Sequence, residues 1–145
     1  MKRLSILVAV AMALLVAVPS ALAGDRFYKG IIDSPNAGVE FHAAIHHQKA
    51  KEVAGFNWFN VPVTCQPSGS SATTGRLGKF TMKVHDDGTF HGTKAINNGL
   101  TTATVTGKFS HHTKKVVGTL RVHGAVTGAG ANCDTGVRTW RHLPK

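Results

Sequence analysis

The stretch EFHAAIHHQ, residues 40–48, places one carboxylate and three histidines close together. Carboxylate oxygens and imidazole nitrogens are common ligands of Zn²⁺ and other divalent metals. On a strand, side chains at i and i+2 point the same way about 6.6 Å apart, so Glu40 and His42 could share one ion. His46 would lie about 13 Å from His42, which is too far for one ion, and His47 would point to the opposite face. The stretch alone therefore predicts two ligands rather than a complete site.

A complete metal site would need ligands from other strands. His85, His91 and His123 lie in or beside other strand-like runs, and any of them could stand next to His42. The sequence does not fix that register, and it lacks the motifs H-E-x-x-H, H-x-H and C-x-x-C. We keep as metal candidates Glu40, His42, His91 and His123, and we predict no resident cofactor.

The carboxylates do not form a catalytic pattern. Acid–base hydrolysis by carboxyl groups needs two of them, set apart in different environments. Asp86 and Asp87 are adjacent in a turn sequence, and Asp134 fits an Asx turn beside Cys133. The chain has no G-x-S-x-G nucleophile elbow and no glycine loop that opens a helix to cradle phosphate. The sequence therefore predicts that the protein is not an enzyme, with an unrecognised hydrolase as the last alternative.

Strands must position these side chains, because apolar and polar residues alternate through most of the chain after residue 23. Typical runs are GVEFHAAI, KFTMKV, TTATVTGKF and VVGTLRVH, separated by turn sequences such as DDG and NNG. QPSGSSATTG and GAVTGAGAN read as loops, and RTWRHLPK as either a basic arm or a frayed end. The sequence predicts an all-β fold: an antiparallel β-sandwich or a partly closed β-barrel of about seven to nine short strands.

One run, VAGFNWFNVPVTC, changes phase within itself. Phe56 and Trp58 follow one phase, whereas Val61 and Val63 follow the other. A β-bulge near residues 57–60 would turn the later residues back to the same face. Alternatively, this strand is buried on both sides. Trp58 and Trp140 could each stack on a sugar, but large aromatic side chains belong more often to a core.

Residues 1–23 have the organisation of a secretory signal peptide. Lys2 and Arg3 precede an apolar run of roughly 15 residues, and Ala21-Leu22-Ala23 provides the small-x-small cleavage pattern. That run is short for a membrane span, and no apolar run of about 18 residues follows it. We predict one secreted β domain at residues 24–145, extracellular or associated with the cell envelope. We expect no transmembrane segment in the mature protein.

The two cysteines, Cys65 and Cys133, both lie in the predicted secreted part. An even number of cysteines in an oxidising compartment predicts one disulfide. That disulfide would join residues 68 positions apart. On the chain-entropy account, closing a loop of this length contributes about 4 kcal/mol of stability. A free catalytic thiol is the alternative.

The charge of the chain indicates what it could bind. The sequence has 17 Lys and Arg, 7 Asp and Glu, and 9 His, for a formal charge of +10; loss of Lys2 and Arg3 would leave +8. Protonation of the histidines, which ordinarily titrate near pH 6.5, would raise this toward about +17. Such a surface favours polyanions, although the same charge could merely confer solubility and the histidines could be ordinary polar residues.

The function predicted from these features is a non-catalytic exported binding module for an anionic glycan or cell-wall polymer. A basic, histidine-rich strand face would bind it, with the candidate residues Glu40, His42, Lys83, Arg121 and His123. Nucleic acid is not an expected partner, because basic and aromatic residues are sparsely interleaved and the compartment is wrong. A histidine-based secreted metal-binding protein is the alternative.

The order of the strand motifs resembles that of a group of small secreted bacterial all-β domains with one disulfide. The motifs are VAGFNWFNVPVTC, VTGKF, VVGTLRV and CDTGVRTW, and the resemblance extends over nearly all of residues 27–141. It implies an all-β fold and supports pairing of Cys65 with Cys133. It implies no activity and no ligand. Because the histidine richness departs from the pattern of the group, a histidine-based function would belong to this chain alone.

Overall fold

The computed structural model describes residues 24–110 and 112–142, with only the backbone described at Ser34 and Pro35. The predicted signal peptide, residues 1–23, lies outside the described residues, as do His111 and residues 143–145. The strands are β1 Gly24–Ile32, β2 Ser34–His46, β3 Lys49–Gln66, β4 Gly69–Arg76, β5 Met82–Lys83, β6 Thr89–Ile96, β7 Thr101–Ser110, β8 Lys115–Val126, β9 Gly130–Asp134 and β10 Arg138–His142. A short 3-10 turn, Asn97–Gly99, joins β6 to β7. No helix in this part of the chain is long and apolar enough to cross a bilayer.

All ten strands belong to one antiparallel sheet with the order β10-β1-β2-β3-β9-β8-β7-β6. Strand β10 pairs with β8 as well as with β1, so the sheet curls until its path returns on itself. Strands β4 and β5 pair with β3 along the edge opposite β2. The prediction of an all-β antiparallel fold is confirmed.

The inner face of the curled sheet holds an aromatic core. Phe41 is fully buried, and its ring stacks between those of Tyr28 and Phe56, at centroid distances of 5.2 and 5.5 Å. Trp140 meets the Phe41 ring edge-on at 5.5 Å. Trp140 and Trp58 are 0% and 1% exposed. Neither tryptophan is therefore available to stack on a sugar.

Glycines opposite aromatic residues give these rings space. Three cross-strand pairs have this composition: Trp58 with Gly75, Phe90 with Gly107, and Trp140 with Gly118. In each pair, a Cβ added to the glycine would collide with the partner's ring. The glycines inside the strand patterns thus allow large rings to lie flat against a neighbouring backbone.

Of the two alternatives for the phase change in strand β3, the structure shows the bulge. The register of β3 with β4 shifts between Trp58 and Val61, and Asn60 has a φ of 52°. As a result Trp58 faces the core before the bulge, and Val61 and Val63 face inward after it.

Some strands lie where the sequence predicts loops or a tail. Residues 69–75 of QPSGSSATTG belong to β4, which ends at Arg76, although only Thr73 of that strand is buried. Strand β10 comprises RTWRH, the first five residues of RTWRHLPK, so the prediction of a basic arm or a frayed end is wrong for residues 138–142. Strand β4 pairs with β3, and β10 pairs with β8. Each neighbour supplies partners for the backbone N–H and C=O groups of the added strand, and this pairing keeps the two segments extended.

The predicted disulfide is present. Cys65 on β3 and Cys133 on β9 are bonded to each other and are direct cross-strand partners. They pack with Val63 and Val126 in a small apolar cluster apart from the main core. The disulfide is therefore a covalent link at the middle of the three residue pairs that join β9 to β3.

Candidate functional site

The structure divides the five predicted binding residues between two sides of the molecule. Glu40 and His42 lie on β2, and Lys83 on β5 is paired with Glu52 of β3. Arg121 and His123 lie on β8. Along the returning path of the sheet, β2 and β8 are three strands apart in either direction. The outward side chains of the two groups therefore do not share a face.

On the side formed by β1, β2 and β3, opposite charges are paired. The ammonium of Lys29 lies 3.4 Å from the Glu40 carboxylate and 5.1 Å from the centre of the Phe59 ring. Nδ1 of His42 lies 3.1 Å from the carboxylate of Asp25. This side presents a mixed, largely neutralised surface rather than a basic one.

The four metal candidates lie on three different strands: Glu40 and His42 on β2, His91 on β6 and His123 on β8. The nearest histidine partner of His91 is His85, whose ring is parallel to it at 5.9 Å. Among the described residues, no group of three or more His, Cys, Asp or Glu side chains is arranged to hold a metal ion.

A different surface is basic and regular. Strands β6, β7, β8 and β10 are consecutive neighbours, and their outward side chains form what we call the threonine face. Its hydroxyl residues are Thr93, Thr102, Thr104, Thr106, Thr119 and Thr139, and its basic residues are His91, Lys108, Arg121, His123 and Arg141. The face is about 14 Å wide across its four strands.

Cross-strand hydrogen bonds hold the threonine side chains in place. The hydroxyl oxygens of Thr106 and Thr119 are 2.7 Å apart, and those of Thr93 and Thr104 are 3.2 Å apart. A hydroxyl has one donor and two acceptor positions, so each pair keeps capacity for a further partner. The face therefore presents fixed hydroxyl groups at the regular spacing of a β-sheet.

The cations of the face differ in what they already contact. Arg121 donates two hydrogen bonds to Asp134, at 3.1 and 2.6 Å. This bond lowers the pKa of Asp134 below its ordinary value and raises the pKa of Arg121. Lys108 and Arg141 are exposed, and the described residues include no salt bridge to either. These two side chains are therefore the cations most open to an external anion.

Two cross-strand pairings bring Lys108 and Arg141 to one row of the face. Lys108 on β7 is opposite Val117 on β8, and Val117 is opposite Arg141 on β10. The prediction of a basic arm or a frayed end at RTWRHLPK does not place Arg141 beside β8. The alternation Arg138, Trp140 against Thr139, Arg141 was the signal that marks this segment as a strand.

The carboxylates beside the face are already hydrogen-bonded. Asp134 is committed to Arg121, and Asp87 near Lys108 accepts hydrogen bonds from the amide and hydroxyl of Thr89, at 3.0 and 2.7 Å. Those contacts lower the pKa of Asp87. Both groups are therefore held as carboxylates, which suits ion pairing rather than proton donation.

Comparisons of the chain with protein-family models, with characterised proteins and with solved structures gave no match.

Proposed function

We propose that the protein is a non-catalytic binding module for an anionic polysaccharide, and that the threonine face is its binding surface. The observation that carries this proposal is the row of Lys108 and Arg141 across three neighbouring strands, β7, β8 and β10, set among ordered threonine hydroxyls. The cations would attract carboxylate or phosphate groups of the polymer. The hydroxyls would exchange hydrogen bonds with its sugars.

A polymer suits this surface better than a small anion. Each exposed ion pair contributes little, on the order of 0.2–1 kcal/mol, because water and salt screen it. Several such contacts along one chain add up, since the first contact raises the effective concentration for the rest. A broad, regular face that joins β6 to β10 offers that repetition, whereas a lone charged residue does not.

Export is part of the proposal. The disulfide between Cys65 and Cys133 is of the kind that persists in oxidising compartments, and the sequence predicts a signal peptide at residues 1–23. An exported basic protein would meet the anionic polymers of the cell envelope or its surroundings. The binding face proposed here differs from the set predicted from the sequence, since it keeps Arg121 and His123 but not Glu40, His42 and Lys83.

The test is binding to polygalacturonate by the protein purified after periplasmic expression, measured at low and moderate salt. The double variant Lys108→Gln/Arg141→Gln should weaken binding at least threefold, and moderate salt should weaken binding of the unmodified protein. The control Lys79→Gln/Lys83→Gln removes the same charge elsewhere and should change affinity less than twofold. Equal losses in the two double variants, or no binding to the polymer, would contradict the proposal.

A further inference from the structure

Three turns meet at one end of the molecule and enclose a cleft, which we call the hairpin cleft. They are the β2–β3 turn at residues 47–48, the β5–β6 turn at residues 84–88 and the β7–β8 turn at residues 112–114. The cleft has a volume of about 210 Å³. This is below the roughly 300–1,000 Å³ of pockets for drug-sized molecules, so it suits a ligand about the size of one sugar.

Two of these turns hold residues in an unusual backbone conformation. His47 and Gln48 have φ values of 48° and 60°, and His112 and Thr113 have values of 53° and 66°. Tight hairpin turns with two positive φ angles strongly favour Asn and Gly, and a β-branched residue such as Thr is a clear outlier there. Such conformations persist where the surroundings fix them, and they cluster at binding sites.

Strand β1 fixes the more unusual turn. The hydroxyl of Tyr28 donates a hydrogen bond of 2.8 Å to the Thr113 carbonyl. The guanidinium of Arg26 donates another, of 3.0 Å, to the Thr113 hydroxyl. Thr113 is buried, and Tyr28 is 1% exposed within the aromatic core. The β7–β8 turn, which forms one wall of the cleft, is therefore fixed by hydrogen bonds from β1.

The walls combine an apolar floor with a basic rim. Phe109 and Ala50 are buried at the floor. Lys49 and Lys51 lie on either side of Ala50 and are exposed, so their side chains leave β3 on the same side about 6.6 Å apart. The remaining ionisable residues of the cleft are His85, Asp86, Asp87 and His112. One of the acids, Asp87, has its carboxylate bound to Thr89.

From this geometry we infer a second binding site: the hairpin cleft takes a single small sugar that carries a carboxylate or a phosphate. The sugar ring would cover Phe109 and Ala50, and its anionic group would lie between Lys49 and Lys51. The inference does not rest on the proposed polymer binding. The cleft adjoins the threonine face, however, because His85 stacks on His91.

The experiment is an NMR titration of the ¹⁵N-labelled protein, purified after periplasmic expression, in low-salt buffer. The probes are D-glucuronate and D-glucose 6-phosphate. D-Glucose is the control ligand that lacks the charge, and inorganic phosphate is the control ligand that lacks the sugar ring. The charged sugars should shift the amides of Gln48, Lys51, Gly88 and Thr113. Glucose and inorganic phosphate should bind at least fivefold more weakly.

The two anionic sugars separate carboxylate from phosphate as the preferred group, and tighter binding of either one supports the site. The variant Lys49→Gln/Lys51→Gln should weaken binding about threefold to tenfold, while Lys79→Gln, away from the cleft, should leave it unchanged. Three outcomes would overturn the inference: equal shifts with glucose, shifts confined to the threonine face, or no shifts at about 50 mM ligand, where a millimolar site is saturated. Because monomeric sugars are used, these outcomes are independent of polymer binding.

Discussion

The ring of Phe90 on β6 occupies the space that a side chain at Gly107 on β7 would fill. The two residues are direct cross-strand partners, and the atoms nearest to a Cβ built on Gly107 all belong to the Phe90 ring. Phe90 is 1% exposed and packs against Phe109, with ring centroids 5.4 Å apart. A glycine in the strand thus lets an aromatic ring lie flat on the neighbouring backbone, directly beneath the threonine face.

The first prediction concerns this pair. Gly107→Ala should reduce the free energy of unfolding by about 1–3 kcal/mol, because the buried Phe90 ring must move into a packed core. Adding Phe90→Leu should recover part of that loss, since the smaller side chain frees the space, and the two changes should be non-additive by about 0.5–3 kcal/mol. Urea unfolding of the two single variants and the double variant measures this. Additive losses would show that the two side chains do not compete for the same space.

The second prediction concerns the turn at residues 47–48. Gln48→Gly should raise the free energy of unfolding by up to about 1 kcal/mol, because glycine adopts a φ of 60° without the strain that glutamine carries. The greater entropy of glycine in the unfolded chain offsets part of the gain. Thermal unfolding of the variant measures the change, with Ser71→Gly in β4, where strain is not at issue, as the control. A lower melting temperature for Gln48→Gly would mean that the turn is not strained.

The third prediction concerns Asp134 and Arg121. Their bond lowers the pKa of Asp134, so its contribution to stability is present above the ordinary carboxyl pKa of 3.8 and is lost as pH falls through the lower folded-state value. Asp134→Asn should therefore lower the urea midpoint at pH 6. The difference from the unmodified protein should shrink as pH falls through that lowered folded-state value. Asp86→Asn, in the β5–β6 turn, is the control. A difference that stays constant from pH 6 to pH 2 would contradict the prediction.

The fourth prediction concerns the disulfide. Reduction, or the double variant Cys65→Ser/Cys133→Ser, should cost on the order of 4 kcal/mol of unfolding free energy, because the bridge closes a loop with a sequence separation of 68 residues. Hydrogen exchange should increase first in β9, since only five residues form that strand and the bridge holds them against β3. Equal increases throughout the sheet would indicate that the bridge stabilises the fold without holding β9 locally.

The alternation in the sequence predicts which side chains face inward along most strands. Val39, Phe41 and Ala43 are buried as their period-two spacing predicts, and the phase change in VAGFNWFNVPVTC corresponds to the bulge at Asn60. Cysteine count and the expected compartment predicted the disulfide. These features depend on local spacing or on residue type, and both can be read directly from the chain.

The sequence does not predict the hairpin cleft. Its three turns are far apart in the chain. In addition, a histidine gives no indication in the sequence of a positive φ, whereas a glycine would, and both His47 and His112 have one. The contact between Tyr28 and Thr113 joins residues separated by 85 positions. Only the curl of the sheet brings the three turns to one end.

Alternation and residue type were enough to predict antiparallel strands with an apolar inner face after residue 23, and a disulfide between Cys65 and Cys133. Which outward faces adjoin depends on the folded arrangement of the strands. That arrangement sets Glu40 and Arg121 on different sides and brings Arg141 into a row with Lys108. The physical reason is that alternation fixes the direction of a side chain within its own strand, whereas the neighbour of that strand is chosen by long-range packing. Here, burial of Trp140 in the aromatic core draws β10 against β8.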